Sequence, residues 1–210
     1  MRYENIIWDF DGTLFDTYPG MCRNLQSAVR RLGCELPLEE IMRTFRVSLE
    51  DAAAYCSEQT GIPAETVYQA YRDWMLEFGQ PEARSFSGVR EFLERFQRAG
   101  GRNFVFTHRG KTVYDYLESE GLMPYFTEVV PFNSSFERKP SPSGNLYLAE
   151  RHGLVPEKTL AIGDRELDIL AGKAAGMDAC LLHQTGAESA ADYQLPDVEG
   201  LYALVGLEKE

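Results

Sequence analysis

Four points of the chain carry side chains suited to phosphoryl transfer, and each comes after a short apolar run. These side chains are Asp9, Asp11, Thr107, Lys139, Asp164 and Asp168. Acidic groups that converge without compensation repel one another, so their grouping implies a bound cation. Oxygen ligands from few carboxylates suit Mg²⁺, which also takes a substrate phosphate oxygen. The set therefore predicts magnesium-assisted chemistry on a phosphate group.

Taken singly, each of these residues also has an ordinary structural interpretation. Asp9 and Asp11 suit a polar turn, and Thr107 suits a helix N-cap. Lys139 alone suits a solvated surface position, while Asp164 and Asp168 suit helix capping and a first helical turn. These interpretations do not explain why carboxylates, a hydroxyl, a lysine and further carboxylates occur in order at successive strand ends. We therefore interpret the residues as one site.

The elements that must position these residues follow from the apolar runs. Short runs that end in turn residues are typical of buried parallel strands. They cover residues 6–8, 103–107, 128–131, 159–162 and 179–182. Helical stretches between the later runs each end at a glycine, which suits the left-handed residue that closes a helix. This alternation predicts an α/β fold with a doubly wound parallel sheet, whose ligand site lies beyond the carboxyl ends of the strands.

Residues 15–83 interrupt the alternation, because they contain amphipathic helical patterns and no convincing strand. We expect an all-helical domain over 15–83, inserted into an α/β core domain made of residues 1–14 and 84–210. An insertion directly after the first strand can close over the site as a lid.

Composition limits the partners of the protein. The chain has 33 acidic and 21 basic residues, and its net charge of −12 repels nucleic acids and anionic membrane surfaces. No segment approaches the apolar length of a membrane span. The four cysteines form no Cys-x-x-Cys pair, which favours reduced thiols in a cytoplasmic protein. We expect a cytoplasmic monomer or homodimer that binds a small molecule.

The motifs resemble those of a known family. The sequence resembles the haloacid dehalogenase-like hydrolase superfamily at Asp9-Phe10-Asp11-Gly12-Thr13, Thr107, Lys139-Pro140 and Gly163-Asp164-Arg165-Glu166-Leu167-Asp168. The resemblance spans the sheet domain from its first strand to its last. The helical insertion is similar to the cap of the phosphoglycolate phosphatase and β-phosphoglucomutase branch. The resemblance implies a Rossmann-like core with an inserted helical cap.

The resemblance also implies catalytic roles. Asp9 would be the nucleophile that forms an aspartyl-phosphate, and Asp11 would be the general acid and then the base for the hydrolytic water. Thr107 and Lys139 would hold the transferring phosphoryl oxygens. Because phosphate monoesters hydrolyse so slowly alone, most of the acceleration must come from neutralising the dianion and holding the reactants in line.

A metal site is implied by the same resemblance. The Asp9 carboxylate, the Asp11 backbone carbonyl and Asp164 would bind Mg²⁺. Asp168 would orient the metal site from beside or behind it.

Three departures distinguish among members of the family. Asp11 argues against carbon–halogen chemistry, because haloacid dehalogenases lack an acid at this position. Met21 and Leu49 stand where β-phosphoglucomutases carry a histidine and a substrate-binding arginine. Residues 15–83 contain no lysine for the Schiff base of phosphonoacetaldehyde hydrolases. We therefore expect a phosphatase, with a phosphomutase or a non-catalytic phosphate-binding protein as the alternatives.

Basic side chains near the expected site bear on the substrate. Arg46 falls in the cap loop expected to face the site, and Arg109 comes two residues after Thr107. Singly, such arginines are ordinary surface residues, but grouped around a cleft they would attract small anions. We expect an anionic phosphorylated metabolite, with phosphoglycolate as the family-level hypothesis. His108 either contacts this substrate or only shapes its loop.

Overall fold

The computed structural model describes residues 1–132 and 136–208. The chain forms two compact units, one made of Met1–Phe15 with Arg84–Glu210 and the other made of Asp16–Ala83. The first unit contains a parallel sheet, and the second contains helices and no strand. That the helical unit acts as a cap stays a prediction.

The sheet has six parallel strands in the order β3-β2-β1-β4-β5-β6. The strands are β1 (Asn5–Trp8), β2 (Arg102–Phe106), β3 (Phe126–Val130), β4 (Thr159–Gly163), β5 (Asp178–Leu182) and β6 (Tyr193–Leu195). The order reverses at β1, where Ile7 lies opposite Phe104 on one side and Ala161 on the other. The α/β fold with a doubly wound parallel sheet is thus confirmed. The sequence did not predict β6, a three-residue edge strand that is half-buried.

Helices surround this sheet in the first unit and form the whole of the second. In chain order the helices of the described residues are α1 (Tyr18–Arg31), α2 (Leu38–Phe45), α3 (Leu49–Thr60), α4 (Ala64–Phe78), α5 (Val89–Arg98), α6 (Thr112–Ser119), α7 (Ser143–His152), α8 (Glu166–Ala174) and α9 (Glu199–Val205). Short 3₁₀ turns at Met123–Tyr125 and Pro156–Lys158 lead into β3 and β4.

The burial of the strands explains why the apolar runs in the sequence predicted the sheet. Every residue of β1 and of β4 is buried, as expected for central parallel strands covered on both faces. In α5 the buried residues recur at helical spacing, at Val89, Phe92, Leu93 and Phe96. On another part of the sheet Phe104 and Phe106 pack with Leu148 of α7. These contacts fix the strand ends that carry the polar residues.

The helical unit has a core of its own. Leu25 of α1, Ile41 of α2, Cys56 of α3 and Val67 of α4 are all fully buried in one cluster. Ser48 begins α3 as its N-cap, because its hydroxyl accepts a hydrogen bond of 2.9 Å from the backbone N–H of Asp51.

The cysteines are free thiols in the structure. Cys22, Cys56 and Cys180 are buried, and burial raises the pKa of the Cys180 thiol to about 12. Among residues 1–132 and 136–208, no helix has both the length and the apolar character needed to cross a membrane.

Candidate active site

The first acidic residue lies where β1 ends. The backbone N–H of Asp9 donates to the carbonyl of Ile162 at 2.8 Å, which continues the sheet ladder one residue past Trp8. The chain then turns, and the carbonyl of Phe10 accepts from the backbone N–H groups of Leu14 and Phe15. Asp9 is therefore held by the central strand, and only 3% of it is exposed.

Lys139 binds two carboxylates in this buried site. Its Nζ donates to Asp9 Oδ1 at 2.7 Å and to Asp168 Oδ1 at 2.8 Å. All three side chains are at most 4% exposed. Burial disfavours the ammonium, but the charges of Asp168 and Asp9 outweigh it and raise the pKa of Lys139. The lysine is therefore a fixed positive charge beside the two acids.

One carboxylate oxygen of Asp9 has no hydrogen-bond donor among the described residues. Asp9 Oδ2 is buried and has no hydrogen-bond partner among the described residues. Burial, followed by repulsion from Asp168, raises the pKa of Asp9 to about 6, although Lys139 and Arg165 act in the opposite direction. A buried carboxylate oxygen without a donor is costly, and native structures usually keep one only for a function.

Three acids converge at this point. Carboxylate oxygens of Asp9, Asp164 and Asp168 lie within 4.8 Å of one another, and all three residues are buried. Asp164 follows β4, where its Oδ1 accepts from the hydroxyl of Thr13 at 3.3 Å. Its backbone carbonyl accepts from Gln184 Nε2 at 2.5 Å. Side chains from β1 and β4 thus meet because these strands are neighbours in the sheet.

Asp168 reaches the group from the first turn of α8. Its Oδ2 accepts from the backbone N–H of Arg165 at 3.2 Å, so the carboxylate also stabilises the start of the helix. Gly163 makes room for it, because a Cβ at position 163 would overlap the Cβ of Asp168.

The donor set fits a hard divalent cation. The acids supply oxygen ligands only, which Mg²⁺ prefers, and Asp9 Oδ2 has no donor among the described residues. Lys139 binds two of the three buried acids, and Arg165 Nε lies 3.9 Å from Asp168 Oδ2. The cluster contains Asp9 and Asp164 of the predicted ligand set, and the ligand set of Asp9, Asp164 and the backbone carbonyl of Asp11 stays a prediction.

The loop after β2 contributes three consecutive residues. Thr107 is 1% exposed, its backbone N–H donates to Val130 at 3.2 Å, and its hydroxyl accepts from the backbone N–H of Arg109 at 3.0 Å. The Arg109 side chain binds Asp11, with Nε 3.0 Å and Nη2 2.5 Å from Oδ1. Its guanidinium lies 5.0 Å from the centre of the Tyr116 ring. The arginine expected to bind substrate thus holds the expected general acid.

His108 lies between Thr107 and Arg109 in sequence, and its side chain contacts the loop that carries Lys139. Its Nε2 accepts a hydrogen bond of 2.8 Å from the backbone N–H of Lys139. Arg46, the other basic residue expected near substrate, lies directly after α2 in the helical unit and is exposed. Its role toward a substrate stays a prediction.

A comparison with known families identifies the chain. A sequence model of the family described as haloacid dehalogenase-like hydrolase matches residues 6–182. The chain belongs to this family. The matched range includes every site residue discussed above, from Asp9 to Asp168. As a haloacid dehalogenase-like hydrolase, the protein is an enzyme, and the sequence-based family assignment is confirmed.

Three relatives of this hydrolase illustrate the match. A phosphoglycolate phosphatase of Vibrio parahaemolyticus is 28% identical over 181 residues, which cover 81% of this chain and 79% of the relative. A 5′-nucleotidase of Pseudomonas aeruginosa is 29% identical over 202 residues, covering 86% and 82%. A crystal structure from Haemophilus somnus, described as a predicted phosphoglycolate phosphatase, has a TM-score of 0.84 at 23% identity and covers 97% and 98% of the two chains. That structural likeness shows the fold.

Sequence reasoning missed one residue beside the acids of this hydrolase, and it gave no role to a histidine that packs near Thr13. Asn145, at the start of α7, is 3% exposed and lines a small cavity with Asp9, Lys139 and Asp168. Nothing in its sequence context marks it, because an asparagine after a proline-rich loop is ordinary. His183 follows β5 with a φ of +63°, and its Nε2 lies 3.1 Å from the carbonyl of Thr13. A left-handed histidine is unusual, but the sequence carries no sign of that conformation.

Proposed function

We propose that this hydrolase is a Mg²⁺-dependent phosphatase that releases phosphate from a small phosphorylated metabolite through an aspartyl-phosphate on Asp9. Phosphatase activity as such follows from the family and from relatives named as phosphatases. Metal dependence, the intermediate, the residue roles and the substrate are the proposal. Its cytoplasmic location and its state as a monomer or homodimer stay predictions.

The observation that carries the proposal is the environment of Asp9. One of its oxygens binds Lys139, and the other is buried without a partner among the described residues. A carboxylate held in place but incompletely satisfied is suited to attack a phosphorus atom. Covalent capture by such a nucleophile divides one slow displacement into two easier steps.

Charge neutralisation is the task of the surrounding residues. A phosphate dianion approaching a carboxylate is repelled, and the positive charge of Lys139 offsets that repulsion. Thr107, at the end of the next strand, would hold a second phosphoryl oxygen. Mg²⁺, when held by Asp9, Asp164 and the Asp11 carbonyl, would supply further positive charge for the equatorial oxygens.

Asp11 would supply and remove protons. In the first step its carboxyl donates a proton to the leaving oxygen, and the phosphorus–oxygen bond to the alcohol breaks as the bond to Asp9 forms. In the second step its carboxylate accepts a proton from the water that attacks the aspartyl-phosphate, which releases inorganic phosphate and regenerates Asp9. Arg109 binds the ionised form of this side chain by two nitrogens, which suits its role as the base of the second step.

The names of the relatives support a class of substrate, small phosphate monoesters, and not one compound. Relatives of similar identity are named for phosphoglycolate and for 5′-nucleotides. Phosphoglycolate is the first candidate, because seven curated relatives at 28–29% identity are named as its phosphatases. A 5′-nucleoside monophosphate is the second.

The test is phosphate release from 2-phosphoglycolate, a 5′-nucleoside monophosphate and several sugar phosphates, with Mg²⁺ and with a chelator. We expect release only with Mg²⁺, and its loss by at least about 10³-fold in Asp9→Asn. Asp192→Asn is the control, because that carboxylate pairs with Lys173 and lies outside the site. It should keep full activity.

The alternatives give different results in the same assay. Transfer of phosphate from one sugar hydroxyl to another, with little release, would indicate a phosphomutase. Binding of phosphate without turnover of any ester would indicate a non-catalytic protein. Release that persists in Asp9→Asn would refute the aspartyl-phosphate mechanism.

A further inference from the structure

A side chain of the loop after β2 binds the backbone of the loop that carries Lys139. The backbone N–H of Lys139 donates to Nε2 of His108 at 2.8 Å. Lys139 precedes α7 and belongs to no helix or strand, so the sheet ladder does not hold its amide. The backbone bond next to it is local, from Ser141 to Arg138 at 3.0 Å. The link to His108 therefore connects the backbone of this position to the loop after β2, in addition to the bond from the Lys139 side chain to Asp9.

The histidine is built to accept that bond. An Nε2 that accepts a hydrogen bond carries no proton, so the neutral ring has its proton on Nδ1. Burial, aided by the positive charges of Lys139, Arg138 and Arg165, lowers the pKa of His108 to about 4, against the opposing charge of Asp168. The ring packs edge-on against Phe132, with 6.1 Å between ring centres. The imidazole is thus neutral at physiological pH and fixed in orientation.

The hydrogen bond between His108 and Lys139 lies between two groups of the predicted site. Directly before His108 is Thr107, which is buried and tied by its backbone to β3. Directly beyond the amide is the Lys139 side chain, whose Nζ binds Asp9 and Asp168. The bond therefore sets where the Lys139 backbone lies relative to Thr107, and the two carboxylates then hold Nζ.

We propose that His108 is a positioning residue, whose Nε2 anchors the backbone of Lys139 so that Nζ and Thr107 meet the same phosphoryl group. This role rests on the proposed function for its kinetic consequences, but the hydrogen bond itself does not. His108 acts through Lys139 and not on the substrate. A misplacement of about 1 Å in a group that holds the reacting phosphate can cost up to roughly a hundredfold in rate.

The first experiment tests the bond without any activity. A long-range ¹⁵N–¹H spectrum of the ¹⁵N-histidine-labelled protein separates a proton-bearing ring nitrogen from an acceptor nitrogen. The chain has three histidines, so His108→Gln assigns the signal by its disappearance. We expect a neutral ring protonated on Nδ1 from pH 5 to pH 8. A ring that titrates in this range, or that carries its proton on Nε2, overturns the proposal even if the protein is a phosphatase.

The second experiment compares three variants in the phosphatase assay. The side-chain oxygen of His108→Gln can take the place of Nε2, whereas the shorter His108→Asn mimics Nδ1, and His108→Leu fills the space without an acceptor. We expect His108→Gln to keep kcat within about threefold, and the other two to lose about tenfold or more. Thermal unfolding of each variant establishes that it is folded.

A double substitution separates positioning from substrate contact. If His108 acts through Lys139, then His108→Leu should cause no further loss of kcat in a Lys139→Met background. An additional loss of about tenfold in that background would show direct action on the substrate and overturn the proposal. Equal losses in His108→Gln and His108→Leu would do the same, because rescue by the acceptor is its central expectation.

Discussion

The two ends of the same sheet handle polar groups in opposite ways. At the amino end, Asn5, Arg102 and Thr159 begin three neighbouring strands and lie in register. Arg102 Nε donates to Asn5 Oδ1 at 2.9 Å, Asn5 Nδ2 donates to Thr159 Oγ1 at 3.4 Å, and Arg102 Nη1 donates to the carbonyl of His152 at 3.2 Å. In this network each of these donors has an acceptor, and the charged member is the Arg102 guanidinium.

At the carboxyl end the same strands deliver an excess of negative charge. Three buried acids converge there, two of them bind Lys139, and one oxygen of Asp9 lacks a partner among the described residues. A satisfied polar network stabilises a fold, whereas an unsatisfied one is costly unless a ligand completes it. From this contrast we expect the polar residues at the amino end to stabilise the fold and those at the carboxyl end to serve the reaction.

Removing the shared cation should have the largest effect. Lys139→Met keeps the length of the side chain and leaves Asp9 and Asp168 without their common partner. We expect kcat/KM for phosphate release to fall by about 10³-fold, the order found when a stabilising group for developing charge is lost. Lys173→Met is the matched control, since Lys173 pairs with Asp192 at 2.6 Å in a partly exposed site. Equal losses in both variants would contradict the contrast between the two ends.

Supplying a divalent cation should stabilise the carboxyl end. Mg²⁺ at about a hundredfold excess over its dissociation constant should raise the free energy of unfolding by about 2.7 kcal/mol, because it binds the folded state. Asp164→Asn should abolish most of this gain, since it removes one of the three converging carboxylates. Denaturant titration with and without Mg²⁺ measures it. An unchanged gain in Asp164→Asn would place the ion elsewhere.

Substitution of Arg109, at the same end of the sheet, should have a smaller effect on activity. Arg109→Lys keeps the charge but loses the two-nitrogen contact with Asp11, so the carboxyl is no longer fixed in orientation. We expect kcat to fall by about tenfold with little change in KM, as for lost positioning. Arg98→Lys, in an exposed pair with Glu94, should change neither constant. A rise in KM alone would instead favour substrate binding by Arg109.

The amino end should give the smallest effect, and on stability only. Asn5→Ala removes the side chain that joins Arg102 to Thr159. We expect the free energy of unfolding to fall by about 2 kcal/mol, about 1 kcal/mol for each of the two hydrogen bonds lost, with kcat/KM unchanged. Urea denaturation and the phosphate-release assay measure the two quantities. A tenfold loss of activity would show that the two ends are not separable.

The part of the site that sequence reasoning could predict depends on strand ends. Asp9 and Asp164 each follow a buried apolar run, and adjacent parallel strands bring such residues together. The register of β1 with β4 makes this meeting certain once both strands are recognised. For the same reason, β6 escaped recognition, because its half-buried residues form no apolar run.

The pairings between loops were beyond such reasoning. Arg109 binds Asp11 across 98 positions of sequence, and His108 binds Lys139 across 31. Each pairing depends on how a loop bends after its strand, which neither periodicity nor composition records. The sequence supplied the candidates Arg109 and His108, but only the structure shows what their side chains contact.

The backbone at position 163 is as much a part of the candidate active site as any charged group. Gly163 contributes no functional atom, yet Asp168 occupies the volume that any side chain there would need. Glycine is needed here because it has no side chain. A single methyl group at this position would displace Asp168 from Lys139, which also binds Asp9. An inventory of reactive groups would pass over this residue, although the charge arrangement depends on the space it leaves.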